Sequence, residues 1–431
     1  MVTMVLGLLV ASCRPAPTPA PPTPTPVAVA PTPTPTPVPK VLKVGLLGPH
    51  TGPSARVGEE FRDAATMAFD AIDWKIGPYK IELVYIDSES DPEKATRAYE
   101  EAILRDKIEC GLINWHSSVS VAVMEVAAKH KVPHFFAFGA TEVVNEKYLS
   151  DPEKYSYWVG KWWPVPEKLS IAYVETLEEA IERGIWTPKE KKFAIFGEDT
   201  DWGRSFGAAI RAQLEKAGWE MVADTWFAAD ETEFYPVLKR MKDAGVVLLA
   251  GTTTFPHAGS ALIKQAREIG LKSLIISDGL GWIGEWYKLT GDASDYVLDQ
   301  IPQWTTDEAK EFAKEFEERW GITPSPSAAG LAYDNANFFI KVCERTLEKY
   351  GELNSETLYK VAVEEVETGK LTYTDGIIME EYKFTPETMP DPVVGKGYYI
   401  FPVIQYFGGK GRIIWPEEWK EADLEIPPSM K

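Results

Sequence analysis

Residues 110–141 read CGLINWHSSVSVAVMEVAAKHKVPHFFAFGAT, and their pattern decides the architecture. An apolar strand over 111–115 gives way to a polar turn at His116, Ser117 and Ser118. An amphipathic helix follows, with apolar Val121, Val123, Met124, Val126 and Ala127, and a second strand over 134–138 closes on Gly139, Ala140 and Thr141. Strand, helix and strand in this order form a β-α-β unit, whose parallel strands end in a crevice faced by helix amino termini. Such a crevice suits an anionic or zwitterionic small molecule. Ser118 stands where a helix amino cap is expected, and Thr141 comes just after a glycine that lets backbone approach a ligand closely. The stretch predicts a binding cleft, not a reaction centre.

The same alternation continues on both sides. Upstream come a strand over 41–47, a helix over 61–74, a strand over 81–87 and a helix over 91–105. Downstream, strands over 193–197, 221–227, 246–250 and 273–277 alternate with helices over 205–217, 234–244 and 259–269. Two such series predict two α/β lobes, each built on a parallel sheet. The aromatic and proline-rich stretch 155–166 lies between them. A strand over 296–301 then leads back towards helices over 307–320 and 328–350, so the chain crosses between the lobes more than once, as a hinge requires.

A chain of 431 residues, 45% hydrophobic and 26% charged, is ample for two domains with real cores. With 45 Lys and Arg against 65 Asp and Glu, its formal charge of −20 repels phosphate backbones and anionic lipid head groups. Nucleic acid is excluded as a partner on that ground, and the acidic surface favours a soluble monomer. Unbroken apolar spans near the ~20 residues of a membrane helix are missing. Three cysteines make no disulfide framework. Cys110 enters a strand and Cys343 lies on an apolar helix face, which predicts buried thiols, with a bridge between them left open.

The amino-terminal apolar run ends in Leu9, Val10, Ala11, Ser12 and Cys13, which resembles the lipobox of bacterial lipoproteins, with Cys13 as the lipidated residue; the usual Lys or Arg ahead of the run is absent. Residues 14–40 are a tract of Pro, Thr and Ala that favours extended polyproline II, at about 3.1 Å per residue a reach of roughly 80 Å. A signal segment over 1–13 and a spacer over 14–40 would hold a folded region clear of a membrane through a lipid anchor.

Five stretches, in order, resemble the type I solute-binding proteins of ABC transporters, in their leucine/isoleucine/valine-binding branch. They are 44–60, VGLLGPHTGPSARVGEE; the Ser-rich turn before Val119 with Lys131-Val132-Pro133 and Phe138-Gly139-Ala140-Thr141; the strand from Lys192 with GEDTDWGRSFG at 197–207; Gln265-Ala266-Arg267 with Gly270 and the strand ending in Asp278; and PSPSAAGLAYDN at 324–335. The resemblance implies two Rossmann-like lobes with parallel sheets, joined by a three-crossing hinge and closing like a flytrap. It divides the chain into lobe 1 at 41–163 and 303–388 and lobe 2 at 164–302 and 389–431. It implies that Ser118 and Thr141 hold a ligand's α-carboxylate and α-ammonium, that Gly139 lends backbone groups, that Trp202 covers the ligand and that Asp278 pairs with an ammonium. Phe255 falls near a further aromatic position. Val57 departs from the family's aromatic before Gly58, and with Arg56 beside it the pocket can favour a ligand other than a branched aliphatic amino acid.

Two motifs invite other readings. Gly203-Arg204-Ser205-Phe206-Gly207 matches G-x-S-x-G, yet a loop over 198–202 separates it from its strand and His257 is the only downstream histidine. Gly279-Leu280-Gly281-Trp282-Ile283-Gly284 matches G-x-G-x-x-G, but so late in the second series, and with a bulky Trp282, it reads as a glycine-rich cleft loop. The five histidines show no paired metal spacing, since Pro133 breaks the helix that His130 and His134 would share. No cofactor, metal or catalytic residue is expected. The chain reads as an extracytoplasmic substrate-binding lipoprotein that captures an amino acid or related zwitterion and delivers it to ABC permease subunits. The alternative is a sensor module for amino acids, amides or aromatic acids, which would carry a membrane helix and output domain beyond Lys431.

Overall fold

Two twisted sheets, each flanked by helices, carry the molecule in the computed structural model, which describes residues 1–2, 13–17, 19 and 40–431. The lipobox residues 9–12 and nearly all of the 14–40 spacer lie outside the described residues, while Cys13 is exposed. The first sheet contains β1 (Lys40–Gly48), β2 (Lys75–Ile76), β3 (Tyr79–Asp87), β4 (Cys110–Leu112), β5 (His134–Ala137) and β6 (Trp158–Lys161), in the order β2-β3-β1-β4-β5-β6. Every pairing in it is parallel except that of the short β2 with β3. The second contains β7 (Lys192–Glu198), β8 (Glu220–Phe227), β9 (Leu248–Thr252), β10 (Leu274–Asp278), β11 (Val297–Gln300), β12 (Val403–Phe407) and β13 (Lys410–Trp415), in the order β13-β12-β11-β10-β9-β7-β8. Its β11-β12 and β12-β13 pairings are antiparallel.

Burial follows from the parallel architecture. Helices cover both faces of such a sheet, so its central strands are apolar on both sides. Leu42, Val44, Leu46 and Leu47 of β1 are all fully buried, as are Leu248, Leu249 and Ala250 of β9. Helices Ala55–Asp70 and Leu331–Tyr350 pack against each other over the first sheet. The chain leaves the first sheet after β6, returns to it after β11 through Asp307–Trp320 and Leu331–Tyr350, and crosses again before β12. These are the three crossings of a two-lobed hinge. Cys110 and Cys343 are buried and both are free thiols.

Several boundaries differ from the sequence reading for identifiable reasons. The strand expected over 111–115 stops at Leu112, because Ile113 and Asn114 take φ of 62° and 148° and turn the chain towards the cleft. The helix expected over 61–74 runs Ala55–Asp70, and Asp73 and Trp74 beyond it sit at positive φ. The helix expected from Ser205 begins at Asp201, capped by Thr200, whose Oγ1 accepts from the Gly203 amide at 3.2 Å. Ser118 is not an amino cap. His116 occupies that position without a side-chain capping bond, and the helix is Ser117–His130. Thr141 is the capping residue instead, heading Glu142–Ser150 with its Oγ1 accepting from the Val143 amide. The stretch 155–166, read as a connector, contains β6, whose four residues are all buried beside β5.

Candidate functional site

The carboxyl ends of the parallel strands surround a small cavity lined from both sheets. The first lobe contributes Trp115 and Ser117 after β4, then Phe138, Gly139 and Ala140 after β5. The second contributes Trp202 after β7, Thr254 after β9 and Trp282 after β10. Trp163 closes the ring at the first crossing. That placement is general for α/β sheets, where ligands sit beyond the carboxyl ends of the strands.

Trp282 is the centre of the aromatic wall. Its ring lies 5.2 Å from Trp115 at 84°, 6.1 Å from Trp163 at 86°, and 5.9 Å from Trp202 at 51°. Trp115 also leans on Phe138 at 5.5 Å. The loop turns directly over the indole: Gly279 has φ +83°, and a Cβ there would stand 2.1 Å from the Trp282 ring. Buried Asp299 fixes this loop by accepting from the amides of Gly279 at 2.6 Å and Gly281 at 2.8 Å and from the Tyr406 hydroxyl at 2.7 Å. Burial raises its carboxyl to about 6, against the pull of those donors.

Thr254 ties the wall to both lobes. Its side chain donates to buried Glu198 at 2.8 Å, and Thr200 and Thr253 donate to the same carboxylate. Desolvation pushes Glu198 upward. From the first lobe, Ser54 donates to the Thr254 carbonyl at 2.9 Å, and His116 Nδ1 lies 3.2 Å from Thr254 Oγ1.

The residues expected at the site are distributed unevenly. Gly139 and Trp202 line the cavity, and Trp202 donates its indole N–H to Thr252 at 2.9 Å. Ser118 and Thr141 join the lobes: Ser118 Oγ accepts from the Asp201 amide at 3.3 Å, and Thr141 Oγ1 lies 2.7 Å from Ser205 Oγ. Asp278 is fully buried behind the wall, accepts from Tyr173 at 2.9 Å, and is raised well above the usual carboxylate range by burial and by Asp299. Phe255 packs on His116 at 5.8 Å, outside the cavity lining. Arg56 also lies outside it and forms a clasp between lobes, donating to Glu285 at 3.0 and 3.1 Å and to the Thr323 carbonyl at 3.0 Å. Ser205, the centre of the G-x-S-x-G match, sits within a helix with its hydroxyl engaged by Thr141. Trp115 and Trp282 were missed by sequence reasoning. The available signal was position, each being the aromatic residue that follows the carboxyl end of a parallel strand.

Two substitutions probe this frame. Gly139 has φ +94°, and an added Cβ would meet Ser120 Oγ at 1.8 Å, so Gly139→Ala is expected to cost about 1–3 kcal/mol in urea unfolding. Burial lowers His116 to about 3, and it lowers His134 to about 4 against a bond to the Ile113 carbonyl. The unfolded chain therefore binds more protons below pH 6.5, and stability present above that pH is lost as pH falls towards 3. His116→Gln is expected to remove about 1.5 kcal/mol of the loss between pH 6.5 and pH 5, compared by urea titration with the parent chain.

The profile of the family described as "Periplasmic binding protein" matches residues 41–388. The "Amino acid binding protein" of Pseudomonas aeruginosa is 24% identical over 256 residues, which span 59% of this chain and 64% of that protein. "Leu/Ile/Val-binding protein homolog 7" of Brucella abortus is 21% identical over 401 residues, spanning 90% of this chain and 94% of that one. Among solved structures, a solute-binding protein of an ABC transporter from Rhodopseudomonas palustris BisB5, in complex with 3,4-dihydroxy benzoic acid, superposes with a TM-score of 0.68 at 22% identity, covering 86% of this chain and 95% of that one. Two mostly parallel sheets, three crossings and a cavity between lobes agree with that match in architecture. The chain therefore belongs to the periplasmic binding proteins, with the two-lobed fold of their type I solute-binding members.

Proposed function

We propose that this protein is the extracytoplasmic, lipid-anchored receptor of an ABC transporter, capturing a small zwitterionic solute of the amino-acid class between its lobes and delivering it to the permease. The lobes take the boundaries 41–163 with 303–388, and 164–302 with 389–431, and the anchor is Cys13. The observation that carries this reading is the cavity itself, walled from both lobes, with Ser118, Thr141 and Arg56 bonded across the cleft. A ligand touching both walls favours the closed form, and the closed shape is what a permease can recognise. Trp202 and Gly139 contact the solute, whereas Ser118, Thr141 and Arg56 hold the closed form and Asp278 supports the wall from behind. The protein acts as a monomer.

A second reading, an aromatic acid delivered or sensed at the same site, is favoured by the indole walls and by the dihydroxybenzoate in the Rhodopseudomonas structure. A thermal-shift panel on the full chain, with amino acids, betaines, amides and aromatic acids, tests both. A ligand at 100 times its dissociation constant adds about 2.7 kcal/mol of stability. Stabilisation by a zwitterion supports the first reading, stabilisation by an aromatic acid alone supports the second, and no stabilisation by any member of the panel removes both.

A further inference from the structure

We infer that residues 279–285 form the closing latch of the cleft, a loop tied to the second sheet that docks on the first-sheet helix Ala55–Asp70 and on residues 323–325. Docking carries Trp282 onto the cavity wall, and Gly284 is the residue that permits it. The inference rests on the reading of the cleft as one that opens and closes, and it goes further by naming the element that closure engages.

Gly281 spans the two sides. Its amide donates to Asp299 of β11 at 2.8 Å, while its carbonyl accepts from the Ser325 hydroxyl at 2.9 Å. Asp299 belongs to the second sheet. Ser325 is seated on the first-sheet side, where its amide and that of Ala329 donate to fully buried Glu60 at 2.8 and 3.1 Å. Trp282 is the next residue in the chain, so the peptide strung between the two sides also sets the indole. At the far end of the loop, Glu285 accepts from Arg56 at 3.0 and 3.1 Å and from the Thr323 amide at 3.1 Å.

The docked contact is built to be released. Arg56 also faces Glu60 at 3.1 Å and Glu59 at 3.9 Å on its own helix, so withdrawal of Glu285 leaves no unpaired guanidinium. A buried pair without such a reserve strands a charge when it parts. The side chains of Arg56 and Glu285 are 20% and 14% exposed, so water reaches both. Their bidentate bond fixes the register of docking, and near solvent it is cheap to break.

Gly284 supplies the fit. Its φ is not positive, so the turn itself does not call for glycine. The space does. A Cβ there would stand 2.2 Å from the Thr323 carbonyl oxygen and 2.8 Å from that of Pro324, and its three nearest atoms all belong to those two residues. They are backbone atoms, which cannot swing aside as the end of a side chain can. An alanine is thus excluded by docking and not by the loop's own conformation.

A full chain carrying Thr141→Cys and Ser205→Cys reports closure without a solute. The native hydroxyls lie 2.7 Å apart across the cleft, and a disulfide needs β-carbons within about 4.5 Å. Dissolved oxygen with a copper–phenanthroline catalyst is expected to cross-link this pair within one molecule. Gly284→Ala in that background is expected to slow the cross-linking at least about tenfold, the population shift of an overpacked contact. Glu285→Ala is expected to slow it about fivefold. Both together are expected to be no slower than Gly284→Ala alone, since an undocked loop has no Glu285 contact left to lose. Urea midpoints establish that each variant is folded, and Glu285→Ala, which adds no bulk, carries the test if Gly284→Ala is not. Cross-linking of the folded variants at the parent rate, slowing that multiplies in the double variant, or absence of the cross-link in the parent pair overturns the latch. No solute enters these measurements, so the thermal-shift panel alone decides the solute site.

Discussion

Asp391→Ala is expected to destabilise the protein by about 3–5 kcal/mol, read from the urea midpoint, because it strands a buried ammonium. Asp391 lies at the third crossing; its Oδ2 accepts from Lys168 Nζ at 2.8 Å, and its Oδ1 is ion-paired with Lys161 Nζ at 2.9 Å. The side chains of Lys161 and Asp391 are 0% and 1% exposed. Burial pushes the aspartate upward, yet the two lysines outweigh it and hold the carboxyl below its usual range, while burial holds Lys161 below its own. Without the carboxylate, Lys161 must fold in its neutral form. The deficit should then shrink as pH rises towards the ordinary lysine pKa of about 10.4, since the unfolded chain also loses that proton there. Replacing both partners, Lys161→Met with Asp391→Leu, should recover most of the loss. A single-mutant cost below about 1 kcal/mol would mean that the pair is solvated and not structural.

Trp282→Ala is expected to cost about 3–5 kcal/mol of stability and to lower affinity for the solute by at least about 100-fold. The residue is 5% exposed and meets Trp115, Trp163 and Trp202, so truncation opens the aromatic wall at its centre. Its ring also borders a second, small pocket beside Val57 and Leu289. Denaturation and ligand titration on the same preparation separate the two effects. A variant that is destabilised but binds with unchanged affinity would show that Trp282 is packing and not part of the site.

The strand and helix alternation was legible because burial on both faces of a parallel sheet leaves unbroken apolar runs such as 248–250, and because helical spacing exposes one polar face. The helix Asp307–Trp320 matched its expected bounds, with Thr306 capping it and Gly321 at φ 72° ending it. Legibility failed where short segments gain their order from neighbours. Trp158–Lys161 becomes a strand only because β5 offers an edge, and the β12-β13 hairpin adds to a sheet whose nearest member, β11, lies about a hundred residues earlier.

The site divides along the same line. Local sequence pointed to the turn after β4, the glycine before Thr141 and the loop carrying Trp202, since helix starts and glycine turns are short-range features. Sequence by itself determined the two-lobed α/β class, the acidic surface and the location of the cleft at strand ends. Tertiary structure alone decided which side chains line the cavity. Asp278 and Trp282 are four residues apart, yet the bond to Tyr173, 105 residues earlier, sets the aspartate behind the wall, whereas the turn at Gly279 brings the tryptophan onto it. Such choices depend on contacts between residues about a hundred positions apart, which no local pattern encodes.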